Sequence, residues 1–385
     1  MRRLLWLASA MIFFDVAFFA AIAPLLPDYV DQLGLSKAQA GILSASYAAG
    51  TLLASLPAGF VASRVGPRRT VISGLLLLGV SSLVFGQVDE IDLLDATRFT
   101  QGIAGALIWA GALTWLITSA PEESRGSVIG TALGTAVAGA LLGPALGALA
   151  ASIGTELVFG SVLIVTVALA YAASRLPEAK APERQSLREV VATMLSKPIL
   201  DGALFVAVPS VMFGAIEVLV PLRIDSLGGG HGVIAAGFIG GAALEAALAP
   251  IAGRASDRIG RRLPYVAGLT ICAVAMLAIA LAQTLGGVLA ALIVTSLGAG
   301  LCFAPALTLL SDIAESSRLH QGFAAGLSNM AWASGQVVGG IGGGVVASLS
   351  GNALPSIAIA VLLLLTVAYA FRTLTPTPDA RPAAS

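Results

Sequence analysis

The chain alternates long apolar runs with short breaks marked by charge, glycine or proline. Twelve runs fall at 4–26, 39–62, 70–88, 94–119, 126–150, 155–174, 199–222, 232–253, 264–283, 286–311, 321–348 and 352–371. A bilayer core about 30 Å thick is crossed by about 20 helical residues, so each run predicts one transmembrane helix. The first run follows Arg2 and Arg3, as in a signal peptide, but it continues to Leu26 without a small-residue cleavage site and is read as the first span. The longest polar stretch, Arg175 to Lys197, divides the spans into two sets of six. The predicted fold is an all-α membrane protein of twelve transmembrane helices in two pseudo-symmetric six-helix bundles. Its expected parts are residues 1–174, a cytoplasmic linker at 175–198, residues 199–372, and a Pro/Ala/Thr-rich tail at 373–385 whose composition predicts disorder.

Composition agrees with that pattern. Apolar residues make up 57% of the chain and charged residues 11%, far below the roughly 25% of a soluble domain. The 21 basic and 21 acidic residues balance, which argues against a nucleic-acid partner. Where the charges sit is more informative than their sum, because Lys and Arg are retained on the cytoplasmic side. With both termini inside, that side holds Arg2, Arg3, Arg64, Arg68, Arg69, Arg125, Arg175, Lys180, Arg184, Arg188, Lys197, Arg254, Arg258, Arg261, Arg262, Arg318, Arg372 and Arg381, or 18 of the 21. Lys37 and Arg223 fall outside and Arg98 lies within a span. A multi-pass protein of the cell (cytoplasmic) membrane, with cytoplasmic N- and C-termini, is therefore expected.

The two halves carry a repeat. Gly59-Phe-Val-Ala-Ser63-Arg64-Val-Gly66-Pro-Arg-Arg69 recurs as Gly253-Arg-Ala-Ser-Asp257-Arg258-Ile-Gly260-Arg261-Arg262, with one extra residue in the first copy. The shift of 194 residues, from 59 to 253, also carries Pro27 onto Pro221. Parallel repeats about an axis along the membrane normal enclose a central cavity in many transporters.

The second copy resembles the cytoplasmic loop signature of the major facilitator superfamily. In that family such loops hold the inward gate shut. The first copy has Ser63 where an Asp is usual, and a serine can cap a helix but brings no charge. Arg98-Phe-Thr-Gln101-Gly102 in the fourth span resembles a motif of proton-coupled members. The alternative for Arg98 is pairing with Asp95, one turn away. Gly139-Ala-Leu-Leu-Gly143-Pro144-Ala-Leu-Gly147 in the fifth span resembles the antiporter signature of the twelve-span drug:proton branch. Gly130 and Gly134 extend its small-residue stripe, which allows close helix contact, and Pro144 permits a bend. The resemblance implies export.

Spans one and seven are similar to those of vesicular monoamine transporters, with Asp15 preceding Pro24-Leu-Leu-Pro27 and Glu217 preceding Pro221. That resemblance makes Asp15 and Glu217 candidates for the amine and proton sites. It also aligns Asn329 with an acidic position of that family, and puts Tyr47 where a basic residue of the second span is usual. An ionised carboxylate inside a span must face protein, water or a cation. Met11, Phe18 and Phe19 share the helical face of Asp15 and suit a lipophilic cation. Burial favours the neutral carboxyl, so both acids can take up and release a proton as a cavity switches sides. The competing reading makes either acid a structural, hydrogen-bonded group. Glu245 divides between a proton path and packing near Pro250. Asn329, Trp332 and Gln336 share one face of span eleven, and Trp332, like Trp109 and Trp115, lines the cavity or packs elsewhere.

Other chemistries find no support. Cys272 and Cys302 have no metal or redox spacing, and His231 and His320 fall on opposite sides of the membrane, so no metal site is expected. No nucleophile triad or phosphate-binding loop is present, which leaves no enzyme and no cofactor, with a proton gradient as the energy source. The expected function is proton-coupled antiport of small amphipathic or cationic compounds by a monomer in the lipid bilayer. A metabolite exporter for sugars, amino acids or polyamines is the alternative, and a membrane sensor would need a signalling domain.

Overall fold

A computed structural model describes the 385-residue chain except 122–124, 180–185, 318, 320 and 375–385, and except the side chains at 125, 126, 187, 257, 321 and 322. The predicted disordered tail beyond 374, Lys180, Arg184, Arg318, His320, Arg381 and the side chains of Arg125 and Asp257 lie outside the described residues. The regular elements are all helices: α1 (Arg2–Ala20), α2 (Ile22–Leu33), α3 (Lys37–Val65), α4 (Pro67–Phe85), α5 (Ile91–Ser119), α6 (Arg125–Ile153), α7 (Thr155–Ser174), α8 (Leu187–Met194), α9 (Lys197–Ser226), α10 (His231–Ile259), α11 (Arg262–Leu281), α12 (Leu285–Ser316), α13 (Gln321–Ser350) and α14 (Ala353–Thr373). The first two form one broken span and α8 is a short connector, so twelve spans stand in two sets of six. Eleven segments are long and apolar enough to cross a membrane by length and composition alone. The twelfth, α13, has the length but is diluted by glycine and serine.

Helix ends follow local chemistry. Ser36 and Gln39 form a reciprocal capping box at the start of α3, with the Gln39 N–H donating to Ser36 Oγ at 3.3 Å and the Ser36 N–H to Gln39 Oε1 at 3.0 Å. The first span runs further than its apolar run, to Leu33, because the helix continues through polar Asp28 and Asp31 until Gly34 turns left-handed at φ 63°. Its break at Ala21 has a sequence cause. Pro24 has no N–H to offer the carbonyl of Ala20 and its ring crowds that turn. The repeat shift of 194 carries Pro24 onto Val218, and α9 runs unbroken from Lys197 to Ser226.

Two apolar clusters fill the molecule, one around Phe85, Trp115 and Phe159, the other around Phe205, Tyr265 and Leu269. Large side chains also face outward, with Leu349 83%, Ile164 75% and Leu281 75% exposed, as a surface solvated by lipid requires. Lipid is as apolar as leucine, so close van der Waals contact between helices holds the bundle, and small residues supply it. Gly50 sits on the Phe99 backbone and Gly102 on that of Tyr47, locking α3 to α5. Gly335 and Gly339 of α13 sit on Ala207 and Val211 of α9.

Gly41 of α3 meets Gly340 and Gly344 of α13, which joins the halves near the α2–α3 turn. There Asp28 also meets His231 at 2.7 Å and Lys37 donates to Asn352 at 2.6 Å. A Cβ on Gly41 would lie 3.2 Å from the Gly340 carbonyl carbon and 3.3 Å from Gly344 Cα, both rigid backbone. Gly41→Leu is expected to destabilise the purified protein by about 1–3 kcal/mol through overpacking, measured as a lower unfolding temperature in detergent; an unchanged temperature would show that the two helices do not hold this distance.

Candidate functional site

A cavity of about 570 Å³ opens between the halves. Its lining starts at Ile22 and Gln336 and runs to Ile117, Ser311, Glu315 and Leu319, towards the end that carries the Gly66 and Gly260 loops. The opposite end is closed by the Asp28–His231 and Lys37–Asn352 contacts. Most of the lining is aliphatic or aromatic, so the few polar groups dominate its chemistry.

Asp15 is fully buried on α1 and faces this cavity. Each of its oxygens accepts a bond: Oδ1 from the Tyr47 hydroxyl at 2.9 Å and Oδ2 from Trp109 Nε1 at 3.1 Å. α6 sets its position. Gly139, Gly143 and Gly147 pack against the α1 backbone at Phe13, Ala17 and Ala21, so the expected antiporter motif is the surface on which the Asp15 helix rests. Pro144 of the same motif lines the cavity. The stripe does not continue as predicted: Gly130 and Gly134 are exposed and have nothing within 4 Å of an added Cβ, while Val128 and Ala132 on the same stretch of α6 are buried.

Arg98 lies one layer behind. It is 1% exposed and has no ion pair with Asp95. Its Nη1 donates to Gln101 Oε1 at 3.0 Å and to the Phe18 carbonyl at 3.5 Å, and Nη2 donates to the Phe19 carbonyl at 3.2 Å. Those carbonyls belong to the last turn of α1, just before the break, so the guanidinium seals the kink. Gln101 is fixed in turn by donating to Ser82 Oγ at 3.1 Å. The cation stacks over the Tyr47 ring at 5.3 Å and the Phe19 ring at 5.9 Å.

Phe19 reaches the cavity, where its ring lies 4.8 Å from Tyr47 and 5.3 Å from Trp332. Phe18 does not. It packs on Phe159 at 5.8 Å inside the first half, because one residue along a helix turns the side chain about 100°. Met11 is also buried in that half's core. Glu217 on α9 lines the cavity and accepts a long bond from Gln336 Nε2 at 3.5 Å. Asn329 and Trp332 line it from α13. Glu245 on α10 lines it as well and has no hydrogen-bond or ion-pair partner among the described residues.

The repeated loops diverge. Gly66 and Gly260 both adopt left-handed φ, 100° and 84°, which glycine alone supplies without strain. Gly59 is buried, whereas Gly253 meets nothing within 4 Å of an added Cβ. Ser63 caps no neighbouring helix, contrary to expectation; its hydroxyl donates to the Phe60 carbonyl at 2.9 Å, one turn back in its own helix. Glu178 takes the acidic place instead, accepting from the Arg68 N–H at 3.2 Å and pairing with Arg68 Nε at 3.0 Å. Arg64 stacks over Phe60 at 5.9 Å. In the second loop Arg261 pairs with Asp312 of α12, and Arg258 is exposed.

Sequence reasoning left Trp109 undecided and missed Asp28, Glu178 and Asp312. The spacing of Gly105 and Trp109, four apart with Gly102 one turn before, was a signal that this face of α5 approaches α1 and α3. Among the described residues no group of three or more His, Cys, Asp or Glu is arranged to hold a metal.

Comparisons with known proteins follow the same lines. The sequence profile described as Major Facilitator Superfamily matches residues 5–244 and 218–385. "Multidrug resistance protein 1" of Bacillus subtilis (strain 168) is 25% identical over 361 residues, 90% of this chain and 91% of that one. "MFS-type transporter ppzB" of Metarhizium majus (strain ARSEF 297) is 29% identical over 126 residues, 31% of this chain, and the match spans only 27% of that protein. A solved bacterial homolog to the human lysosomal transporter Spinster, inward-facing and occupied, superposes with a TM-score of 0.79 at 16% identity, covering 96% of this chain and 95% of that one.

The guanidinium of Arg98 has a planar fork that an ammonium lacks. Arg98→Lys is expected to leave a carbonyl at the kink unpaired and to cost about 1–3 kcal/mol of stability, read from unfolding in detergent; a variant as stable as the parent would show that the fork does not hold the break.

Proposed function

Since the chain belongs to the Major Facilitator Superfamily, whose members are transporters and not enzymes, we propose that it is a proton-coupled exporter of small amphipathic or cationic compounds working by alternating access. One observation carries this reading: a fully buried carboxylate, Asp15, sits at the head of an apolar, aromatic-lined cavity with donors fixed on both oxygens. Two neutral donors stabilise the ionised form while leaving further lone pairs for a cation or a proton. Either guest compensates the charge, so the two compete for one group, and competition is the simplest form of antiport.

The relative named for multidrug resistance over 90% of this chain supports the drug-like substrate class. So does the lining. A sugar needs a dense set of hydrogen-bonding side chains, whereas here Phe19, Trp109, Phe213, Phe238, Phe303 and Trp332 dominate. Aromatic faces favour lipophilic cations. A pH gradient drives this one-for-one exchange about tenfold per pH unit, whereas the membrane potential does no net work when a monovalent cation leaves as a proton enters. The cytoplasmic placement of both termini in the cell membrane makes the open cavity inward-facing, poised to collect substrate from the cytoplasm. Glu217, on the other half and held only by Gln336, serves as the second proton-carrying group.

In proteoliposomes, an imposed pH gradient is expected to drive uptake of a cationic dye. Asp15→Asn should reduce it at least tenfold, and Glu217→Gln should abolish the substrate-induced pH change. Dye transport that persists in Asp15→Asn would remove Asp15 as the cation site, and transport indifferent to the gradient would remove proton coupling.

A further inference from the structure

Three carboxylates line the cavity's interior, and their surroundings differ. Both oxygens of Asp15 are occupied by Tyr47 and Trp109. Glu217 has the amide of Gln336. Glu245 lines the cavity, is half-buried, and has no hydrogen-bond or ion-pair partner among the described residues. It is placed there by helix geometry: Phe238, Ala242 and Glu245 lie at i, i+4 and i+7 on the one face of α10 that lines the cavity. The backbone of Glu245 is pinned from behind, since a Cβ on Gly300 of α12 would lie 3.2 Å from Glu245 Cα and carbonyl oxygen. The side chain therefore faces the space between the halves.

The charge balance of the interior is informative. Asp15, Glu217 and Glu245 contribute three negative charges when ionised, and Arg98 contributes one positive charge, which leaves two uncompensated. A single monovalent cation neutralises only one of them. Glu315, further out, is exposed at the mouth, where water screens it. Asp15 and Glu245 project from different halves, α1 and α10, and the aromatic surface of Phe213 and Phe303, 5.5 Å apart, lies on the α9 and α12 side of the same cavity. Two anions from different halves of one aromatic-lined cavity match a dication with an apolar body.

We propose that Glu245 is a second cation subsite, so that the preferred substrates are lipophilic dications bridging Asp15 and Glu245. This rests on the reading of Asp15 as the first cation site. Removing the second carboxylate withdraws one charge–charge contact in an apolar setting and so discriminates against dications selectively.

Ethidium and propidium share one aromatic body and differ by a quaternary ammonium arm, so the ratio of their dissociation constants on the purified full-length protein isolates the second charge. Wild type is expected to bind propidium about tenfold more tightly than ethidium, one charge contact's worth. Glu245→Gln should bring the ratio to near one, and Glu245→Asp, which keeps the charge, should preserve most of the preference. An unchanged ratio in Glu245→Gln, a ratio lost equally in both variants, or no propidium preference in wild type overturns the subsite. Asp15→Asn in the same titration separates the two claims: ethidium affinity that survives it sinks the cation site at Asp15, whatever the ratio does.

Discussion

A carboxylate removed from water must be given donors or a counter-charge, and the interior of this transporter is organised around meeting that demand at Asp15. Tyr47 and Trp109 come from α3 and α5, so the acid ties three helices of one half together. Those helices approach closely enough only because Gly50, Gly102 and Gly105 face one another across α3 and α5. The α6 glycines then hold α1 from the other side. Arg98 adds a positive charge one layer back, engaged with backbone carbonyls rather than with the acid itself.

The two halves share a plan but not its details. The break between α1 and α2 follows Pro24 and is sealed by Arg98, whereas α9 has Val218 at the equivalent place and stays whole. Asymmetry recurs in the loops, where Glu178 from the chain after α7 holds Arg68 and an acid of α12 holds Arg261. Each half therefore ties its loop with its own ion pair. Between them, contact at the Gly41 end is tight, and the cavity runs to the other end. At the Gly41 end, glycine contacts bring α3 and α13 together, and the Asp28–His231 and Lys37–Asn352 contacts add side-chain links between the halves.

Most of the architecture was legible in the chain. Apolar runs of spanning length and the duplicated glycine-arginine loop specified the spans and their division into two sets of six. The site was legible in part. Asp15 and Glu217 stood out because charge inside a span is costly, and both line the cavity. Helical spacing placed Phe18 and Phe19 on one side, yet only Phe19 reaches the cavity, since a stripe two residues wide spans both an exposed and a packed face. Glu178 was not identifiable, because its role depends on which segments meet, a property of tertiary packing that no local pattern records, whereas the Gly105–Trp109 spacing marked the face of α5 that carries Trp109.

The proposed competition between proton and cation at Asp15 has a direct thermodynamic signature. If the cation binds the ionised carboxylate, acidification must weaken binding, with the dissociation constant rising about tenfold per pH unit while the carboxyl group titrates and levelling off at higher pH. Titrating the purified protein with a lipophilic monocation across a pH series measures this, and one proton released per cation bound is the matching result in a weakly buffered solution. An affinity independent of pH, with no proton released, would contradict exchange at Asp15.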